Sequence, residues 1–244
     1  MNQASVEISI IIPAHNEAGR LPATLDALGD FFKNFSPMVE VLVVDDASVD
    51  GTAELARAHA LRPRVICCPE RMGKGGAVRR GMLESWGSEM CLFMDADLSV
   101  PARFVEIFYE ALRAGQGDVL IASRRMRGSR IVKKQPLLRR VGSWCFNTLL
   151  RWIGLTQMRD TQCGFKAFRR NCVEALFQNS RLNGFLFDVE LLVRARRLGC
   201  SIVEMHVEWT HKGGSTVGPM RHAPDILKEL CYLLKLQRKV KNHR

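Results

Sequence analysis

The sequence predicts an α/β protein: a mostly parallel sheet with helices on both faces, followed by amphipathic helices in the C-terminal half. Two observations carry that expectation. Short apolar runs bounded by Pro, Gly or Asp alternate with helical patterns through the first half. The intervening helices are long enough for right-handed crossovers between parallel strands. Residues 7–12, 39–44, 64–67, 90–94 and 118–121 read as strands, and 21–32, 52–60, 75–86 and 102–113 as the helices between them. Past Ser123 the pattern changes. A basic segment leads into Val141, Trp144, Cys145, Thr148, Leu149 and Trp152, which share one helical face, with Arg139, Arg140 and Arg151 around it. A strand at 164–168, a helix at 188–198 and a strand at 202–207 follow. The last helix, 224–240, carries an apolar stripe of Ile226, Leu227, Leu230, Leu233 and Leu234 flanked by Lys228, Lys235, Arg238 and Lys239. Both stripes have two readings, packed core or a surface lying in lipid headgroups. With no linker or repeat, the expectation is one domain over 1–244, divided into 1–123, 124–217 and a C-terminal basic helix at 218–244.

Composition narrows the class of function. Hydrophobic residues make up 47% and charged residues 25% of the chain, which excludes a disordered or fibrous protein. The formal net charge is +11, yet Arg124, Arg125, Arg127, Arg130, Lys133, Lys134, Arg139 and Arg140 crowd one acid-free segment, and without them the balance is +3. A local patch of this kind points to phosphate, nucleic acid or an anionic membrane face. Nucleic acid is disfavoured: aromatic stacking motifs are missing and only Tyr109 and Tyr232 are tyrosines. No apolar run approaches the roughly 18 to 20 residues that span a bilayer, and residues 1–9 lack the features of a signal peptide. Eight cysteines without a Cys-x-x-Cys pair read as reduced thiols buried as small hydrophobes in a cytoplasmic protein.

Chemistry concentrates at the predicted strand ends, where open α/β sheets bind ligands. After the first strand comes Pro13-Ala14-His15-Asn16-Glu17, and after the second Asp45-Asp46-Ala47-Ser48-Val49-Asp50-Gly51-Thr52. An Asp placed there can accept from a base N–H or a ribose hydroxyl, while Ser48 to Thr52 can cap the next helix. The fourth strand runs into Asp95-Ala96-Asp97. Two carboxylates two residues apart can converge on a hard divalent cation that keeps positions open for a diphosphate. Between these motifs lies Arg71-Met72-Gly73-Lys74-Gly75-Gly76, whose glycines permit close backbone approach to a phosphate and whose Lys74 adds full charge. It is not a Walker A loop, and no Gly-x-Gly-x-x-Gly follows the first strand.

In this order the motifs resemble those of the family-2 glycosyltransferases and their Rossmann-like GT-A fold. Residues 71–81, Asp95 to Asp97, and above all Asp160-Thr161-Gln162-Cys163-Gly164-Phe165-Lys166-Ala167-Phe168 are similar to the polyprenyl- and dolichyl-phosphate branch, closest to its β-glucosyltransferases. Residues 187–192, Trp209-Thr210 and Gly214-Ser215 extend the resemblance. It implies that residues 1–123 bind a nucleoside diphosphate sugar, with UDP-glucose expected, and that 124–217 bind the acceptor. Pro13, Ala14, Glu17 and Asp45 would hold the nucleoside, Lys74 would approach the diphosphate, and Asp95 and Asp97 would engage Mg2+ or Mn2+. Ser99 stands where some relatives carry a Gln ligand, so it is not counted among the metal ligands.

The implied reaction inverts the anomeric carbon of the sugar. A lipid phosphate is already anionic near neutral pH, with a second ionisation near about 6 in comparable monoesters, so it needs no general base. The acceptor half must instead supply positive charge, and Arg124, Arg139 and Arg140 are the expected acceptor-phosphate ligands. Asp97, Arg124 and Asp188 are the candidate catalytic residues, while Asp160 and Lys166 fit a positioning or a structural role. The expected partners are the nucleotide sugar, a polyprenyl phosphate and a membrane surface, with the protein peripheral on the cytoplasmic face. Mannose as donor sugar and a non-lipid acceptor are the alternatives.

Overall fold

A computed structural model describes residues 6–133, 135–212 and 223–241. The predicted elements are present, with ends displaced by one or two residues. In chain order they are β1 (Ile8–Ala14), α1 (Leu21–Phe32), β2 (Val39–Asp45), α2 (Thr52–Ala58), β3 (Arg64–Cys67), α3 (Lys74–Glu84), β4 (Met90–Met94), α4 (Phe104–Arg113), β5 (Val119–Ser123), β6 (Arg130–Lys133), α5 (Leu137–Trp152), β7 (Phe165–Arg169), α6 (Arg170–Phe177), α7 (Phe187–Arg197), β8 (Ile202–His206), β9 (Glu208–Thr210) and α8 (Ala223–Lys241). Elements β6, β9 and α6 were not expected from the sequence. Gly214 and Ser215 lie outside the described residues, as does Lys134.

Seven strands form one sheet in the order β3-β2-β1-β4-β7-β5-β8. All neighbours pair parallel except β7, which runs antiparallel to both β4 and β5. The reversal brings the start of β7 to the same edge as the carboxyl ends of β1, β2, β4 and β5. A separate two-stranded ribbon pairs β6 with β9.

Alternation along the strands divides the core. Ile8, Ile10 and Ile12, with Met90, Leu92 and Met94, face α1 and α4, where Leu25, Leu28, Phe108 and Leu112 close the layer. Ile11, Leu42, Val44, Cys91 and Phe93 face the opposite way, against Val78 and Met82 of α3 and Leu191 and Leu192 of α7. Helix α3 comes close to the sheet because Gly81 has no side chain: a Cβ there would lie 2.5 Å from Ile11 Cγ2 and 2.8 Å from Val44 Cγ2.

The two C-terminal stripes resolve differently. In α8, Leu233 is buried and Ile226, Leu230 and Leu234 are partly buried, in a third cluster with Leu150, Leu186, Val189 and Val193. That stripe is core, apart from Leu227. In α5 the buried positions are Asn147 and Leu150, while Val141, Trp144, Leu149 and Trp152 are exposed, Trp152 at 85%. The periodicity marks a real face, but the helix packs through the other one. The cysteines also depart from expectation: Cys68, Cys91 and Cys163 are buried, but Cys67, Cys145 and Cys231 are exposed, and all eight are free.

Gly81→Ala should cost about 1 to 3 kcal/mol through forced separation of α3 from the sheet. Urea denaturation measures this, and an unchanged midpoint would show that the contact is not tight.

Candidate active site

The sheet edge gathers the predicted residues. Pro13 and Ala14 of β1 pair in register with Val44 and Asp45 of β2. Asp45 is buried, and one carboxylate oxygen takes the backbone N–H of Ser48 at 3.2 Å. Its Oδ1 is buried without a partner. An orphaned acceptor at a strand end costs free energy unless a ligand donor reaches it, which suits a base N–H or ribose hydroxyl. Asp46 accepts the backbone N–H groups of Met72 at 2.6 Å and Gly73 at 2.9 Å, a role its place in the sequence does not signal. It thereby ties the glycine-rich turn to the end of β2. The carboxylate of Glu17 is committed to a two-pronged pair with Arg20, at 2.6 and 2.7 Å.

The turn after β4 places Asp95 and Asp97 together. Burial raises the Asp97 carboxyl above its ordinary value, and Asp95 adds to the rise against a hydrogen bond from Ser99. Asp95 is half-exposed and pairs with Lys74, whose ammonium lies 5.8 Å from the Phe187 ring centre. Burial works against the charge of Lys74, but Asp95 and Asp188 hold its pKa well above the usual range. Beneath Asp95 lies Gly164, whose carbonyl accepts the Asp95 N–H at 2.9 Å. A Cβ on Gly164 would fall 2.0 Å from Asp95 Oδ2. Among the described residues, no group of three or more His, Cys, Asp or Glu side chains forms a metal cage. Two convergent carboxylates still fit Mg2+ or Mn2+, because such cations are commonly held by one or two carboxylates plus substrate phosphates.

Behind this layer, Asp188 pairs with the fully buried Lys166, whose ammonium also donates to the Cys163 carbonyl at 2.8 Å. Burial raises the Asp188 carboxyl, with Lys166 and then Lys74 opposing the rise. Asp188 lines neither the pocket at Asp95 nor the larger cleft beside it. Burial also pushes the Cys163 thiol up to about 12, so it stays protonated at neutral pH.

That larger cleft, of about 530 Å³, has a mixed lining: Arg124, Arg125, Arg140, Arg151 and Arg159 together with the apolar Ile131, Leu137, Val141, Trp144 and Trp209. Arg124 at the end of β5 makes a two-pronged pair with the buried Asp160, at 2.6 and 2.8 Å, and its guanidinium sits 5.3 Å from the Trp209 ring centre. Burial opposes the Arg124 charge, yet Asp160 holds it above the ordinary guanidinium value. Arg125 shows the reverse: burial lowers its pKa, and Arg124 and Arg151 add to that against Asp160. Crowded guanidiniums of this kind are relieved by a bound anion. The side chain of Arg139 is outside the described residues, whereas Arg140 does line the cleft. Arg151 and Arg159 were not singled out as ligands, since sequence spacing could not show that the end of α5 and the loop before Asp160 converge. Trp209 lines both the arginine cleft and the small pocket that holds Asp95 and Gly164. Asp95 is also close enough to act on the Arg124 charge, so the acidic turn and the arginine cleft are neighbours.

Residues 9–177 match the family described as Glycosyl transferase family 2. The chain belongs to that family. Its relatives include glycosyltransferase AglD of Haloferax volcanii, 36% identical over 229 residues, 92% of this chain and 36% of that protein. The chain thus spans about a third of AglD. The dolichyl-phosphate beta-glucosyltransferase of Dictyostelium discoideum is 31% identical over 93% of this chain and 73% of its own length. The human protein of the same description is 30% identical over 93% and 74%. The fold is also that of glucosyl-3-phosphoglycerate synthase from Mycobacterium tuberculosis, crystallised with Mn2+, uridine diphosphate and glucosyl-3-phosphoglycerate. That structure has a TM-score of 0.67, 21% identity and coverage of 98% of this chain and 79% of its own. As a family-2 member the chain is a glycosyltransferase.

Two outcomes follow for this glycosyltransferase site. Gly164→Ala should displace the Asp95 carboxylate and lower turnover by at least about tenfold while leaving the circular dichroism spectrum native; full activity would refute the steric account. Asp160→Asn should destabilise the fold by about 3 to 5 kcal/mol, because it strands a mostly buried guanidinium. Burial raises the Asp160 carboxyl, but Arg124 outweighs it and holds the group below its ordinary value of 3.8. Its contribution is therefore complete above that value and is lost as pH falls through the lower folded one. Denaturation of both proteins across pH checks this, and a stability gap that persists at the acid extreme would contradict it.

Proposed function

We propose that this glycosyltransferase transfers glucose from UDP-glucose to a polyprenyl phosphate at a membrane surface, with Mg2+ or Mn2+ at Asp95 and Asp97. The observation that carries the acceptor assignment is the mixed lining of the cleft: five arginines for a phosphate, interspersed with apolar side chains for the carbon chain that bears it. A small hydrophilic phosphate would leave Leu137, Val141 and Trp144 without a partner. Relatives described as dolichyl-phosphate beta-glucosyltransferases, at 30 to 34% identity over most of the chain, support the same reading.

In this reading Asp45, Pro13 and Ala14 hold the nucleoside and Lys74 faces the diphosphate. A bound divalent cation supplies positive charge to the departing diphosphate. Arg124, Arg140 and their neighbours aim the acceptor phosphate, one oxygen of which attacks the anomeric carbon as the bond to UDP breaks. The products are a β-linked lipid phosphate sugar and UDP. No proton has to be removed from the nucleophile, so no side chain is assigned as general base. Asp188, paired with Lys166 behind Asp95, has a positioning role.

No helix among the described residues is long and apolar enough to cross a membrane. We infer peripheral contact through the end of α5, where Leu149 and Trp152 are exposed outside the cleft. Such a face lies in the headgroup region, and basic residues gain roughly 1 kcal/mol each near an anionic surface. The anionic cytoplasmic leaflet is the matching side.

Incubation with radiolabelled UDP-glucose, Mn2+ and a polyprenyl phosphate should carry label into the organic phase. Label from GDP-mannose instead would change the donor, and label that stays with a soluble phosphate acceptor would overturn the lipid assignment. Asp97→Asn should lower turnover by about a hundredfold or more. Arg140→Ala should raise KM for the lipid phosphate by about tenfold with little effect on KM for UDP-glucose. Equal changes in both constants would remove Arg140 from the acceptor site.

A further inference from the structure

We infer that Lys74 occupies the cation position of the acidic site when no nucleotide is bound, and so makes metal uptake depend on the diphosphate. The inference rests on the metal reading above and adds an order to it. Three carboxylates around the donor site are ion-paired: Glu17 with Arg20, Asp188 with Lys166 and Asp95 with Lys74. Of the two candidate metal ligands, Asp97 has no ion pair among the described residues, and it lies close enough to Asp95 for the two to repel. A divalent cation arriving alone must displace the ammonium from Asp95 while Lys74 gains nothing in return.

The geometry offers Lys74 a second partner. It is the first residue of α3, directly after Gly73, and its ammonium pairs across to the turn after β4. The backbone on either side is fixed, with Met72 and Gly73 N–H groups bound by Asp46 and the Gly75 N–H bound to the Asn183 carbonyl at 3.0 Å. Only the flexible stem of Lys74 has to move. When a diphosphate enters with the cation, Asp95 exchanges an ammonium for the metal and Lys74 exchanges a carboxylate for phosphate oxygens. No ion is left unpaired in that exchange, so each ligand strengthens the other, and the coupling must act equally in both directions.

Direct Mn2+ binding to the full chain, read from the electron paramagnetic resonance signal of free Mn2+, tests this without relying on turnover. The wild type should bind Mn2+ at least about fivefold more tightly with UDP than without it. Lys74→Met should bind Mn2+ alone about fivefold more tightly than the wild type and show a smaller gain from UDP, while Lys74→Arg should behave as the wild type. An Mn2+ affinity in folded Lys74→Met equal to or below that of the wild type would overturn the inference and leave the metal reading standing. Absence of Mn2+ binding in the wild type, even with UDP, would overturn both. A second measurement avoids the metal: in EDTA, Asp95→Asn should bind UDP more tightly than the wild type, and this gain should vanish when Lys74→Met is added. A gain of the same size in the double variant would also overturn the inference.

Discussion

The site depends on pairing opposite charges at the sheet edge, and one short segment supplies a partner to two of the four pairs. Between Asp160 and Lys166 the chain supplies the carboxylate that holds Arg124, the glycine that leaves space for Asp95, and the ammonium that neutralises Asp188. An isolated charge in these positions would cost several kcal/mol or would lose its ionisation. Because β7 is antiparallel to its neighbours, this segment enters the sheet at the ligand-binding edge. A parallel strand in its place would deliver its first residues to the opposite edge.

The consequence is an acidic turn next to an arginine-lined cleft. Trp209 stands between them, stacked under Arg124 on one side and bordering the Asp95 pocket on the other. Its own place is fixed by the β6–β9 ribbon and by the hydrogen bond from the Thr210 N–H to the Ser99 carbonyl at 2.9 Å. A flat aromatic wall excludes water between acid and guanidinium groups, and lower local dielectric strengthens both fields. Thr161 is anchored to the buried Asn147 of α5, so the helix that lines the cleft is tied to the same segment.

Much of this was legible before any coordinates. Alternation of apolar runs pointed to the mostly parallel sheet, and the acids after β2 and β4 fall together at one edge of it. Of the basic segment, Arg124, Arg125 and Arg140 line the cleft, but that convergence was not readable, nor was the arrival of Arg151 and Arg159, which reach the cleft through the path of α5 and the loop after it. Asp46 was hidden for a related reason: its partners are backbone N–H groups some 26 residues away, which leave no trace in side-chain spacing. The α5 stripe showed the limit of periodicity, which finds a face but cannot say whether protein covers it. Only the packing of Leu150 and Asn147 decides that.

The central claim is that the metal-bearing acidic turn and the phosphate-binding arginine cleft serve one reaction space. Phosphorus NMR with Mn2+, UDP and a short-chain polyprenyl phosphate bound together measures it most directly, since a paramagnetic ion broadens only nearby nuclei. The account predicts strong broadening of the acceptor phosphorus as well as those of UDP. A broadened UDP signal beside a sharp signal from bound acceptor would contradict it.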